Sequence, residues 1–179
     1  MKIKNLTLLF AFVLAMLIQS CQTQQAETQS EEKLSIEYEK YTLPNGLNVI
    51  LHEDKSDPIV AVAIQVHVGS NREKPGRTGF AHFFEHMLFQ KSENVEEGAF
   101  FKNISDLGGT FNGGTWTDGT VYYEVVPKDA TERVLWMEAD RMGFFINAVT
   151  EADLEGEKPV VQNEKRQRVD NVPYGHRNY

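Results

Sequence analysis

From Leu34 onward, apolar and polar residues alternate in short segments bounded by turn residues, and the segments predict an alternation of strands and helices. Ile36–Leu43 and Leu47–His52 mix β-branched and aromatic types around Pro44-Asn45-Gly46. They predict a hairpin whose central Asn and Gly can both take positive φ. Ile59–Val68 is almost continuously apolar, the pattern of a strand covered on both faces. Thr78 follows a glycine-bounded loop and is placed to cap a helix running to about Gln90. A second helix from about Glu96 stops at Leu107-Gly108-Gly109. Strands are predicted over Thr110–Thr115 and Thr120–Val126. Asp129 and Glu132 suggest a capping box for a helix to about Ile146, with Val134, Leu135, Met137, Met142 and Phe145 as its apolar face. Thr150 opens a last helical stretch that is interrupted by Pro159 and continues to about Asp170. The class is α+β, a mostly antiparallel sheet packed against helices.

The first thirty-three residues follow a different pattern. Lys2 and Lys4 precede an apolar run from Leu6 to Ile18 that only Thr7 breaks. The run is too short to span a bilayer and suits the centre of a secretion signal. It ends in Leu17-Ile18-Gln19-Ser20-Cys21, which resembles a bacterial lipobox and implies a lipidated Cys21 at the mature N-terminus; an ordinary signal peptide with an incidental cysteine is the alternative. Gln22–Lys33 is nearly all polar and reads as a tether. The expected organisation is a signal over 1–20, a tether over 21–33 and a folded part over 34–179. The expected location is the bacterial cell envelope, with a lipid anchor holding the chain at the membrane.

Composition narrows the chemistry. With 18 basic against 26 acidic residues the net charge is −8, which disfavours nucleic acid as a partner. A single cysteine excludes an intrachain disulfide framework and any multi-cysteine zinc site, so a metal would rest on His, Asp and Glu.

His82-Phe83-Phe84-Glu85-His86 supplies such residues. On a helix His82 and His86 stand four apart on one face, which lets two imidazoles converge on one ion. Glu85 borders that face and can reach a water beside the ion without being a ligand. Two surface histidines beside an acid have the same spacing, so spacing alone leaves the metal open. The third ligand is open too. Glu164 is the best supplier, and Glu157, two helical turns earlier, would share its face on a continuous helix. Phe83, Phe84, Met87 and Phe89 read as core-facing packing of the same helix.

The segment from Gly69-Ser70-Asn71-Arg72-Glu73 through Gly79-Phe80-Ala81-His82 to Glu85-His86-Met87-Leu88-Phe89 resembles the zinc-site region of the pitrilysin (insulinase) family of metallopeptidases. Asn112-Gly113-Gly114-Thr115, Asp118-Gly119-Thr120-Val121-Tyr122-Tyr123, Ala139-Asp140-Arg141-Met142 and Asn163-Glu164 fit in the same order. The resemblance implies zinc held by His82, His86 and Glu164, with Glu85 as general base. It also implies Glu157 as a second acid supporting the site from outside, and Asn112 on an edge strand that contacts extended peptide. Two departures stand out: Gly113 replaces the usual alanine, and Pro159 lies between Glu157 and Glu164, which puts in doubt whether Glu157 faces the metal.

The implied function is zinc-dependent hydrolysis of peptides in the cell envelope. A non-catalytic scaffold or partner subunit, which the family also contains, is the alternative, and a metal-binding module without hydrolysis is a weaker one. The family's members are several times longer, built from paired homologous α+β domains. The 34–179 part therefore corresponds to an opening portion, and a homologous second peptidase domain is an expected partner. The arginine and tyrosine that such a domain contributes have no counterpart to assign here.

Overall fold

The structure, a computed structural model, describes residues 35–175. The secretion signal, Cys21 and the tether lie outside the described residues. The chain divides into two compact units between Glu53 and Asp54.

In the first unit β1 (Glu39–Thr42) pairs antiparallel with β2 (Asn48–Leu51), Thr42 opposite Asn48. The turn differs from the expected one. Only Gly46 takes positive φ (91°), Gly46 N–H donates to Leu43 O at 2.9 Å, and Leu43 N–H donates to Leu47 O at 2.8 Å. That is a three-residue loop ending in a left-handed glycine, which asks nothing unusual of Asn45.

The second unit is built on an antiparallel sheet in the order β3 (Ile59–Val66), β5 (Thr120–Pro127), β4 (Thr110–Thr115). Helices α1 (Phe80–Leu88), α2 (Ala99–Asp106), α3 (Thr131–Ala148) and α4 (Glu151–Lys165) accompany it. Val62, Tyr122 and Val126 of the sheet pack with Phe89, Phe100, Ile104, Val134 and Met137 in one core. Among the described residues β3 is not covered on both faces: it is an edge strand of its sheet, and Ile59, Ala61, Ala63 and Gln65 on its other face are exposed. Its continuous apolarity reflects β-formers on a half-covered strand.

Three helix starts also differ from expectation. Thr78 caps nothing; Gly79 is the N-cap of α1, at φ 99°. The Glu73 carboxylate does the capping, accepting Gly79 N–H and Ala81 N–H, each at 2.7 Å. α2 begins at Ala99 behind Gly98, three residues later than predicted. In place of the Asp129–Glu132 box, a 3₁₀ turn over Lys128–Ala130 leads into α3, and Thr131 Oγ1 donates to Lys128 O at 2.7 Å. The Thr150 start is as expected, a capping box with Asp153.

The predicted apolar face of α3 divides in two. Val134, Met137 and Phe145 are buried, whereas Leu135 and Met142 lie on a second, exposed stripe with Ala139 and Ile146. On α1, Met87 and Phe89 are buried but Phe84 is 45 % exposed. α4 runs unbroken through Pro159, and a π-helical turn over Arg166–Asp170 extends it.

Candidate metal centre

Helix α1 sets the first half of the site. Gly69 lies so close to the β4–β5 turn that an added Cβ would come 2.2 Å from Trp116 O. Ser70 N–H and Asn71 N–H donate to Trp116 O and Thr117 O at 3.2 and 2.9 Å. The chain leaves this anchor, Glu73 closes the first turn of α1, and His82 and His86 follow one turn apart.

α4 supplies the other half. His86 Nε2 lies 3.2 Å from His82 Nε2 and 3.1 Å from Glu164 Oε2, and His82 Nε2 lies 3.5 Å from that same oxygen. Two imidazole nitrogens and a carboxylate oxygen crowd one point. Ligand atoms about 2.0–2.2 Å from a tetrahedral ion stand roughly 3.3–3.6 Å apart, close to the three separations observed. The N/N/O donor set suits zinc, with a fourth position left for water. Among the described residues this is the one cluster of three such donors, all within 4.8 Å of one another.

Glu157 is not among the three. Its Oε1 accepts from His86 Nδ1 at 2.8 Å and its Oε2 accepts from the Gln90 amide at 2.6 Å. The doubt raised by Pro159 is resolved: α4 is continuous, and Glu157, 7 % exposed, does face the histidines, behind His86. A carboxylate on Nδ1 selects the tautomer whose Nε2 lone pair is free for an ion.

Glu85, 8 % exposed, also stays outside the three-atom cluster. Its Oε2 accepts from Thr115 Oγ1 at 2.5 Å, and Thr120 Oγ1, 3.1 Å from Thr115 Oγ1, donates to Val68 O. Asn112 lies exposed on β4, an edge strand, and its Oδ1 accepts Gly113 N–H at 2.8 Å. Gly113 itself abuts the acid: a Cβ there would be 3.0 Å from Glu85 Oε1 and 2.9 Å from the Phe89 ring.

Four participants had no role from sequence: Thr115, Gln90, Arg168 and Glu73. Arg168 Nη1 pairs with Glu164 Oε1 at 2.6 Å. Helical spacing held the signal for two of them, since Gln90 is four beyond His86 and Arg168 four beyond Glu164. Alternation held it for Thr115, which shares a strand face with Gly113. Glu73 acts across a loop, where no period applies.

Comparison with known proteins identifies the family. Residues 48–176 match the family described as Insulinase (Peptidase family M16). The chain is 32 % identical over 139 residues to "Zinc protease PqqE" of Helicobacter pylori, covering 77 % of this chain and 31 % of that protein. It is 38 % identical over 119 residues to "Insulin-degrading enzyme-like 1, peroxisomal" of Arabidopsis thaliana, covering 65 % and 12 %. A crystal structure of a protease from Helicobacter pylori superposes with a TM-score of 0.75 at 32 % identity, over 79 % of this chain and 34 % of that one. The chain thus spans about a third of the length of the bacterial relatives it matches. With the matched segment containing both halves of the site, the chain belongs to the insulinase family of peptidases, family M16.

Proposed function

We propose that the full protein is a zinc-dependent peptidase acting on peptides in the bacterial cell envelope. The observation that carries this reading is the convergence of His82 Nε2, His86 Nε2 and Glu164 Oε2 beside a fourth residue, the acid Glu85, that stays out of the cluster. Relatives named zinc proteases support the choice of metal. Zinc, when bound, supplies a Lewis acid that lowers the pKa of a water and steadies charge on a carbonyl oxygen.

The chain's own residues do the rest. Glu85 takes a proton from the attacking water and passes it to the leaving amine. Thr115 holds the carboxylate in place for both transfers. Glu157 keeps the His86 ring in register. Edge strand β4, with Asn112, offers backbone groups to an extended peptide, which adds as a further strand. The envelope location rests on the secretion pattern and Cys21, with a lipid anchor holding the protein at the membrane.

The test is Glu85→Gln in the full chain. Zinc content is expected to match the parent while cleavage of an unstructured reporter peptide falls at least ~10²-fold, the scale of general acid–base catalysis. Parent-like cleavage by the variant would remove Glu85 from its role. A parent that binds zinc and cleaves no peptide would support a scaffold subunit instead.

A further inference from the structure

Gln90 stands one residue past the C-cap of α1, and its backbone is fixed from both sides. Its N–H donates to Met87 O at 3.0 Å and its C=O accepts from Gly98 N–H at 3.2 Å. From this fixed point the side-chain amide reaches Glu157 Oε2 at 2.6 Å, while the other oxygen of Glu157 receives His86 Nδ1 at 2.8 Å. An ionised carboxylate only accepts, so Gln90 must present its NH₂ group and not its carbonyl. Glu157 is buried, and no Lys or Arg is recorded pairing with it; its two described polar partners are Gln90 and His86.

We propose that Gln90 is a positioning residue of the metal site: by gripping one oxygen of Glu157 it aims the other at His86 Nδ1, and so fixes the ring that presents Nε2 to the ion. A carboxylate bonded at one oxygen only can rotate about its last torsion; bonded at both, it cannot without breaking a hydrogen bond. Gln90 does this without adding charge, so the negative field that Glu157 places behind His86 is undiminished. Groups that orient a metal-bound histidine typically alter metal affinity 10- to 100-fold when removed, and Gln90, one step farther out, belongs at the lower end. This role rests on the zinc reading above.

The experiment measures zinc dissociation constants by chelator competition in the full chain, for the parent, Gln90→Met, Gln90→Glu, Glu157→Ala and the Glu157→Ala/Gln90→Met pair. Gln90→Met keeps the length and loses the donor, and about 10-fold weaker zinc binding is expected. Gln90→Glu sets a second acid against Glu157 and is expected to weaken binding further. In the Glu157→Ala background, Gln90→Met is expected to add less than about 2-fold, because its effect runs through Glu157. The visible absorption of the cobalt-substituted protein should shift in Gln90→Met, a change at the metal that a loss of stability alone does not produce. An unchanged zinc constant in Gln90→Met, or a loss that is fully additive with Glu157→Ala, overturns the proposal and leaves the zinc site standing. A parent that binds no zinc overturns the site itself, and Gln90's role with it.

Discussion

Glu85 has one oxygen tied to Thr115 and the other facing the backbone of Gly113, so its position depends on two residues that never touch the ion. Thr115→Val keeps the shape and removes the donor. A hydrogen bond to a charged group contributes about 1.5–3 kcal/mol, so turnover should fall roughly 10- to 100-fold with zinc affinity unchanged, as read from steady-state rates and chelator competition. Gly113→Ala restores the residue usual in the family, yet here its methyl would press on Glu85 and on the buried Phe89 ring. Turnover is expected to drop several-fold, with the loss in kcat and little change in metal content. Much at this scale was legible in sequence. Helical spacing offers His82, Glu85 and His86 as candidates, because one turn of α1 carries all three, and the family resemblance assigns their roles. Spacing does not single out Glu164, since an acid on a helix is ordinary until a partner faces it, and that partner is 78 positions away in the chain. Gln90 and Thr115 were passed over because amides and hydroxyls serve turns and surfaces as readily as sites.

The site is aimed by how two elements begin and one continues. α1 starts on a left-handed glycine with no capping side chain of its own, and Glu73 satisfies its N–H groups from six and eight residues back. Glu73→Ala should lower stability by about 1 kcal/mol, the usual cost of a lost N-cap, and chemical denaturation of the metal-free protein measures it. The carboxylate also sits at the positive end of the helix dipole, so Glu73→Gln should recover only part of the loss. Gly69→Ala tests the anchor upstream. Its Cβ would meet three backbone atoms of the β4–β5 turn that cannot swing aside, and a loss of roughly 1–3 kcal/mol is expected. The sequence anticipated these elements better than their ends. A cap supplied from a distant loop leaves no local pattern, and α4, which packs against α1, is continuous through Pro159. Helix propensity alone argues the other way. The hairpin turn shows the same limit, since Pro-Asn-Gly fits two loop types and only the observed hydrogen bonds separate them.

Across the second unit, the core contains a charge cluster behind the site. Arg141 is fully buried, paired with Glu138 and lying 3.4 Å from Glu124, with its guanidinium 4.4–4.9 Å from the ring centres of Tyr122, Phe100 and Phe89. Two acids share one cation, and burial, followed by the hydrogen bond and charge of Glu138, pushes Glu124 up to about 8. Burial likewise lifts the Tyr122 phenol well above its ordinary value and keeps it neutral. A carboxyl raised on folding binds its proton more tightly in the native state. Its contribution is therefore full below its ordinary value of 4.5 and is lost as pH rises toward about 8. Glu124→Gln carries a permanent donor in place of the proton, so its melting temperature should vary less between pH 5 and 8 than the parent's; parallel profiles would contradict this. Arg141 stands in a segment that fits the family, but its pairing with Glu138 and Glu124 was not legible, because the fold brings the three together across α3 and β5. The sequence did show the α+β class and the order of elements, which depend on local periods. The one-sided cover of β3 was not legible, because which strand forms an edge is set by pairing across the sheet.

One ion held by His82, His86 and Glu164 is the centre of the proposed chemistry. Anomalous diffraction at the zinc edge from crystals of the full protein tests it directly. The predicted result is a single peak about 2.0–2.2 Å from His82 Nε2, His86 Nε2 and a Glu164 carboxylate oxygen, with Glu85 and Glu157 outside bonding distance. Zinc bound elsewhere, or a peak that Glu157 ligates in place of Glu164, would contradict it.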